Sequence, residues 1–460
     1  MISPIYQKYK YLIFSVLSLP FILLLYSGIE VKYLMGVLLL LITLFSLHNF
    51  NIIVGMFISS IFSEIIFFNF QVAVIFSIFL LISLLIHFYS LNPEEFKSPL
   101  NKSMLIFFIC VIPSYFYSIN PLLSIIKCYH FLAFLMVLFS ISIGINFQKK
   151  IITTILFYLA IVSLDSIFVL MRGLITNDRV FGFSGVYYVD FVGVGLILSL
   201  ILFIYSSGLR KLIFIVMICL QTLGIILTET RNAWISVLLS FVLLLIFMII
   251  KGNKIKIKRS SVIKFTLITI FAFTSIFLIS SFISGGAQRR INAVASKTVL
   301  TDDPNSVEGN SLLSRVFIWH TAYLAFRSHP VFGIGIYSFP FSSSNYYKIP
   351  KAYYKRYVEN LPPHLGYLAI LTETGIVGII GFIIFLSSML SFAYSSIKNS
   401  ITKEDFLISI LLFFSLIYVT ISLAMTDAWL WGQQLMLWGL LLGLCFSNSK
   451  ILKAKKLANG

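Results

Sequence analysis

Charge is scarce in this chain: 11% of its 460 residues are Asp, Glu, Lys or Arg, while 59% are hydrophobic. A soluble globular domain carries about 25% charged residues and cannot hide this much apolar surface, so that class is excluded. Cysteine is limited to Cys110, Cys128, Cys219 and Cys445, in or beside apolar runs, with no C-x-x-C and no Cys/His ligand spacing. That excludes a disulfide framework or a zinc module and leaves the four as small buried hydrophobes. Short alternating segments of the kind that build a membrane β-barrel are absent, as are internal repeats and low-complexity linkers. Acidic residues are scarcer than basic ones, 16 against 34, for a net charge of +18.

What the chain has instead is long hydrocarbon runs. A bilayer core of roughly 30 Å needs roughly 20 apolar residues per helix, and backbone groups in lipid must be satisfied internally. Runs near 11–28, 31–48, 51–68, 70–90, 104–118, 128–146, 151–171, 185–206, 211–228, 231–250, 262–283, 365–392, 405–424 and 429–447 meet that requirement. The expected fold is all-α, a polytopic integral membrane helical bundle of about 12–14 transmembrane helices with one large outer loop containing amphipathic helices. The first run lacks a small-residue cleavage site and is read as a retained helix. The expected divisions are about eleven spans in 1–283, a large periplasmic loop over 284–364, the last three spans in 365–447 and a basic cytoplasmic tail over 448–460.

Charge sets the orientation. With the N-terminus inside, the inner segments collect most lysines, among them Lys8, Lys10, Lys149, Lys150, Lys251, Lys398, Lys403, Lys450 and Lys455. The short outer loops hold only Lys32, Lys127, Arg172, Arg179 and Arg231. This is the positive-inside pattern, with both termini cytoplasmic. The same girdle, facing anionic membrane lipids, accounts for most of the +18, so nucleic acid is not an expected partner.

The 284–364 loop is different, because it carries nine Lys and Arg against four Asp and Glu without a topological reason. Within it, Asn310 and Ser311 are placed to cap a helix over 312–328, with Leu312, Leu313, Val316, Phe317, Tyr323 and Phe326 as its apolar stripe and His329-Pro330 as its stop. Pro330, Gly333, Gly335 and Pro340 mark a turn-rich stretch. Tyr353, Tyr354 and Tyr357 among Lys351, Lys355 and Arg356 indicate a second short amphipathic piece.

Several local patterns then fall in order along the chain. They are Asn177-Asp178-Arg179-Val180-Phe181-Gly182, Thr228-Glu229-Thr230-Arg231, Ser314-Arg315-Val316-Phe317-Ile318-Trp319 and His329-Pro330-Val331-Phe332-Gly333-Ile334-Gly335. After them come His364-Leu365-Gly366-Tyr367-Leu368, Glu373-Thr374-Gly375-Ile376-Val377-Gly378 and Thr426-Asp427. This ordered set, over roughly residues 170 to 447, resembles the O-antigen ligase and O-antigen polymerase superfamily of bacterial envelope glycosyltransferases. The resemblance implies a GT-C-like enzyme of the inner membrane, with its active site on the outer face and no metal or other cofactor. It implies an undecaprenyl-diphosphate-linked glycan as donor. The implied acceptor is a glycolipid, the lipid A core for a ligase or a lipid-linked repeat unit for a polymerase. Leu365 stands where many ligases have asparagine, so both activities stay open, ligase first.

The residue chemistry fits that implication. A departing diphosphate gathers negative charge, and the loop has no Asp-x-Asp pair to hold a divalent ion against it, Asp302 and Asp303 being adjacent. Arginine is the side chain suited to meet that charge, and Arg231 and Arg315 are the candidates by position. An interfacial arginine reaching headgroups, or a cation–π pair of Arg315 with Trp319 one turn on, is the plainer reading of each. A sugar hydroxyl needs a base, and His364 stands at the family's histidine position, behind the stiff Pro362-Pro363 pair. Asp427 matches a family acidic position that could orient His364 or an arginine, while Arg179, Arg289 and Arg290 could guide the diphosphate and Trp319 joins the substrate-binding set. Glu64 and Asp165 are carboxylates inside apolar runs with no assigned role. Gly375 and Gly378 read as small residues for close helix packing. A flippase or transporter of the same lipid-linked sugars is the alternative from another class, though the paired broken helices of transporters are not seen.

Overall fold

The computed structural model describes residues 46–47, 49–62, 66–67, 70–87, 98, 100–119, 121–175, 180–228, 230–255, 311–426 and 432–459. Glu64, Asp427, Arg179, Arg289 and Arg290 lie outside them, as do the runs expected near 11–28, 31–48 and 262–283 for all but their last few residues or entirely. The described residues form helices α1 (Phe50–Ile61), α2 (Val72–His87), α3 (Leu100–Phe116), α4 (Pro121–Gly144), α5 (Gln148–Ile175), α6 (Tyr188–Tyr205) and α7 (Leu209–Leu227). They continue with α8 (Arg231–Ile255), α9 (Ser311–Ser328), α10 (Phe339–Ser342), α11 (Lys351–Tyr357), α12 (Gly366–Lys398), α13 (Lys403–Leu423) and α14 (Gly432–Asn459). Eight of these are long and apolar enough to cross a membrane, and α1, α2 and α3 are shorter apolar helices. The chain is a polytopic helical membrane protein.

One expected span is much shorter than its run. Among its described residues, the 51–68 stretch yields only α1, followed by a two-residue antiparallel ladder pairing Ile66–Phe67 with Phe70–Gln71. At 1.5 Å per residue, twelve residues rise about 18 Å and cannot cross the hydrocarbon alone. The last helix departs the other way. α14 runs through the basic segment, so 448–459 is helical.

α6 is the axis of the bundle. Every residue from Tyr188 to Leu202 is buried, and the helix packs against α5, α7, α8 and α13. α14 lies along α4 and α12 along α3, and the large apolar core runs between them. Outward faces such as Leu238, Ile246 and Ile383 stay exposed, as lipid-facing positions must.

At one end of the bundle, α9, α10 and α11 form a cap with a small core of its own. The buried stripe of α9 is Ile318, Ala322 and Ala325, spaced as one helical face, whereas Val316 and Tyr323 of the expected stripe are about half exposed. The small Ala and Thr321 side chains let α9 lie close on α12, which favours that face over the bulkier one.

The cap is held by backbone pairing to a break in α12. Gly375 has φ +68°, inside an otherwise helical run. The carbonyls of Thr372 and Glu373 accept from the N–H groups of Ile334 and Gly335 at 3.1 Å each, while Ile376 and Val377 donate to Pro330 and Val331 at 2.9 and 3.2 Å. A Cβ on Gly375 would fall 2.2 Å from the Val331 oxygen. This glycine therefore serves a loop-to-helix seam rather than the helix–helix packing expected of it.

The other end of α13 is fixed by charge. Asp405 closes a capping box with Thr402 and accepts from Lys455 Nζ at 2.7 Å and from Gln148 Nε2. The carboxylate is fully buried and the lysine partly exposed, so removing the acid leaves the larger defect. Asp405→Ala is expected to destabilise the detergent-solubilised protein by about 2 kcal/mol, more than Lys455→Ala does. Gly375→Ala, forcing an alanine into the left-handed region against a carbonyl, is expected to cost more than about 2 kcal/mol and to open 330–336 to proteolysis.

Candidate functional site

Two side chains one turn apart on α9 reach two different parts of the bundle. Arg315 donates from Nη1 to Asn232 Oδ1 at 2.9 Å, and Trp319 donates from Nε1 to the Pro363 carbonyl at 3.0 Å. Asn232 is the second residue of α8, directly after Arg231. Pro363 directly precedes His364. One helix face thus draws the start of α8 and the histidine turn together. Asn232 also donates from Nδ2 to the Met425 carbonyl, which brings in the connection between α13 and α14.

The histidine turn is shaped by its backbone. His364 has φ +53° and Asn360 φ +59°, left-handed conformations uncommon for residues with a Cβ, though asparagine and histidine adopt them more readily than most. α12 begins two residues later at Gly366, where a Cβ would meet the Leu423 side chain and carbonyl at 2.5 and 2.6 Å. Tyr367 adds a hydrogen bond from its hydroxyl to the Thr420 carbonyl at 3.1 Å. The turn is therefore seated on the last residues of α13. His364, Arg315 and Trp319 are all half-buried.

Beneath that seat lies an apolar pocket. Leu423 and Thr426 line it close to the turn, and Phe107, Phe134, Phe382 and Phe385 wall it further on. Its polar lining includes Asp190, buried in the first turn of α6. The arrangement suits an amphiphile, with hydrocarbon against the rings and a polar group at the cap. Among the described residues no three His, Cys, Asp or Glu side chains gather as metal ligands would.

Among the expected site residues, His364, Arg315 and Trp319 are brought into one neighbourhood, and the backbone of Arg231 is brought there through Asn232. The Arg231 side chain lies outside the described part of the structure, as do Arg179, Arg289, Arg290 and Asp427. Arg315 and Trp319 direct their donors to different partners. Asp165, unassigned from sequence, accepts from the Phe183 N–H at 2.6 Å and the Ser184 hydroxyl at 2.9 Å, holding the turn that enters α6. Sequence reasoning passed over Asn232 and Asp190. Position beside Arg231 was a signal for the first, and an acid in the 185–206 apolar run was a signal for the second.

The fold and this site define a multi-pass helical membrane protein with a polar centre set over an aromatic pocket at one end of the bundle. A family model described as O-Antigen ligase matches residues 212–383, from α7 into α12, which includes Arg231, Asn232, Arg315, Trp319 and His364. Over that segment the chain is similar to the O-antigen ligase family, and the match supports a function of the O-antigen ligase or polymerase type. No curated protein matches it significantly.

Trp319→Phe keeps one aromatic ring and removes the pyrrole part of the indole with its N–H donor, so it is expected to cost about 1 kcal/mol or somewhat more. Faster hydrogen exchange over 361–366, with α9 otherwise unchanged, is the measurement that checks it.

Proposed function

We propose that the protein transfers a glycan from undecaprenyl diphosphate to a sugar hydroxyl of an acceptor glycolipid, at the extracytoplasmic face of the bacterial inner membrane. The observation that carries this reading is the pair of α9 contacts, which sets an arginine and the His364 turn side by side above an apolar, ring-lined pocket. The donor has the same polarity, with a long hydrocarbon chain ending in a dianionic group.

In this mechanism His364 takes the proton of the acceptor hydroxyl as its oxygen forms a bond to the anomeric carbon. The bond from that carbon to the diphosphate oxygen breaks, its electron pair stays on undecaprenyl diphosphate, and the anomeric centre inverts. Arg231 and Arg315 meet the charge that develops on the leaving group, for which the planar guanidinium fork is better shaped than an ammonium. The Asn232 side-chain oxygen Oδ1 accepts from Arg315 Nη1 and holds that end of the guanidinium. Trp319 holds the His364 turn by its bond to Pro363 and belongs to the substrate-binding set. Arg179, Arg289, Arg290 and Asp427 complete that set in the proposal, the arginines guiding the diphosphate and Asp427 orienting His364 or an arginine.

Ligase activity, with the lipid A core as acceptor, is the first reading. Polymerase activity, joining lipid-linked repeat units, uses the same donor chemistry. A deletion strain separates them: lipid-linked polymer accumulating while lipid A carries no long chains marks a ligase, and a single repeat unit on the core marks a polymerase.

In a reconstituted assay with an undecaprenyl-diphosphate glycan, His364→Ala is expected to abolish transfer while the protein stays folded. A near-normal rate would remove the base from the mechanism. Arg231→Lys is expected to lose roughly 100-fold or more, since a point charge cannot reproduce the fork. Full activity with lysine would leave simple attraction as the explanation. Chelator is expected to leave the rate unchanged. Movement of lipid-linked sugar across the bilayer without bond formation would favour a flippase.

A further inference from the structure

We propose that Asp190 is a positioning residue for the transfer site, clamping both ends of the α13–α14 connection so that Asn232 and, through it, Arg315 are held in place. This inference rests on the transfer reading above and adds to it a residue that carries no assigned role.

The carboxylate is 3% exposed, in an apolar bundle where a buried acid is costly unless it is bonded. Its two oxygens accept from two different helices. Oδ1 takes the Ser422 hydroxyl, in the last turn of α13, and Oδ2 takes Gln434 Nε2 at 2.6 Å, in the first turn of α14. Those two donors stand on either side of the 424–431 connection, so a single carboxylate sets the separation of its ends.

From there a continuous polar path leads to the site. The Ser422 carbonyl accepts from the Met425 N–H at 2.8 Å and from the Thr426 hydroxyl at 3.1 Å, folding the chain after α13 into a turn. The Met425 carbonyl accepts from Asn232 Nδ2, and Asn232 Oδ1 accepts from Arg315. Each step is a bond to a group that is itself fixed by the next.

The other side of the clamp does not give. Tyr418 donates to the carbonyl of Val189 at 3.0 Å, and Tyr158 donates to that of Phe191 at 2.8 Å, so the backbone on both sides of Asp190 is pinned by a buried phenol. Asp190 also lies in the first turn of α6, where the helix dipole favours a negative group. A plain core position would be filled more favourably by an apolar side chain of similar volume. Retention of an acid here, lining the pocket under the His364 turn, follows if its two acceptors are needed to set geometry at the site.

The test uses the full chain in lipid nanodiscs, with an undecaprenyl-diphosphate glycan as donor. Asp190→Ala is expected to lower kcat by roughly 10–100-fold with KM for the donor nearly unchanged, the signature of a misplaced group rather than a lost contact. Asp190→Asn keeps an acceptor for Ser422 and can pair with Gln434 once that amide rotates, so it is expected to restore most of the rate. In an Asn232→Ala background the path is already cut. There, Asp190→Ala is expected to add less than about 3-fold, the non-additivity of residues acting through one route. Ser422→Ala, a milder change that leaves the acid bonded to Gln434, shows the same pattern at smaller amplitude if Asp190→Ala does not fold.

Hydrogen exchange supplies the independent readout. Residues 424–426 and 232–233 are expected to exchange faster in Asp190→Ala and in Ser422→Ala, and at the wild-type rate in Asp190→Asn. The inference is overturned by unchanged exchange there, by multiplicative losses in the double variant, or by an asparagine variant as impaired as alanine. A wild-type protein that turns over no polyprenyl-diphosphate donor sinks the transfer reading instead, and the exchange pattern still decides the clamp.

Discussion

The seam between residues 330–335 and the broken middle of α12 is the contact on which the geometry of the site depends. A helix interrupted in an apolar setting leaves N–H and C=O groups that cost several kcal/mol each if unpaired. Here they are paired, but with a segment more than thirty residues earlier in the chain. The pairing places the end of α9 against the body of α12, and a further buried bond from Thr372 Oγ1 to the Ala322 carbonyl at 3.3 Å fixes α9 along its length. The first residues of α12 follow the His364 turn. Once α9 is seated on α12, the separation of Arg315 and Trp319 from that turn is no longer free.

Buried carboxylates do a related job elsewhere in the bundle. Asp165 ties α5 to the turn before α6, Asp190 ties α6 to α13 and α14, and Asp405 ties the start of α13 to α5 and α14. Each lies where two or three helices meet, and none lies on a lipid-facing surface. Apolar packing in a membrane is weakly directional, since a helix face can slide against another with little change in contact area. Asp190 and Asp405, each with donors from two other helices, remove that freedom, and Asp165 fixes a turn to a helix. The cost of burying the charge is met by hydrogen bonds, and the gain is a single register.

The helical bundle is legible in the sequence because lipid demands long apolar runs and helices satisfy their own backbone. Two of the three cap helices, α9 and α11, are legible for local reasons as well: Ser311 before a periodic stretch, His329-Pro330 after it, and tyrosines among basic residues over 351–357. What is not legible is anything that depends on distant pairing. The shortening of the 51–68 run to α1 has no composition signal, since the residues beyond Ile61 are nearly as apolar as those within it. The role of Gly375 is hidden because its partner, Val331, belongs to another part of the chain, and a small residue in an apolar run reads first as a packing contact. The buried face of α9 follows from the closeness of α12, which rewards Ala322 and Ala325 over larger side chains. Asn232 and Asp190 carry no motif of their own. Their importance lies in which ends they join, and only the folded chain shows that.

Donor and acceptor make different demands on this architecture. In the proposed transfer the donor brings the same polyprenyl diphosphate whether the product is a longer polymer or a glycan on lipid A core, so the groups that meet it can be rigid. The aromatic pocket and the Arg315–Asn232–Met425 path have that character, being bound into the bundle on several sides. The acceptor differs between the two activities. The cap carries Lys348, Lys351, Lys355 and Arg356, all exposed, on a small tyrosine-cored unit that touches the bundle chiefly through α9. A surface of this kind can change its charges without disturbing either the seam at Gly375 or the turn at His364.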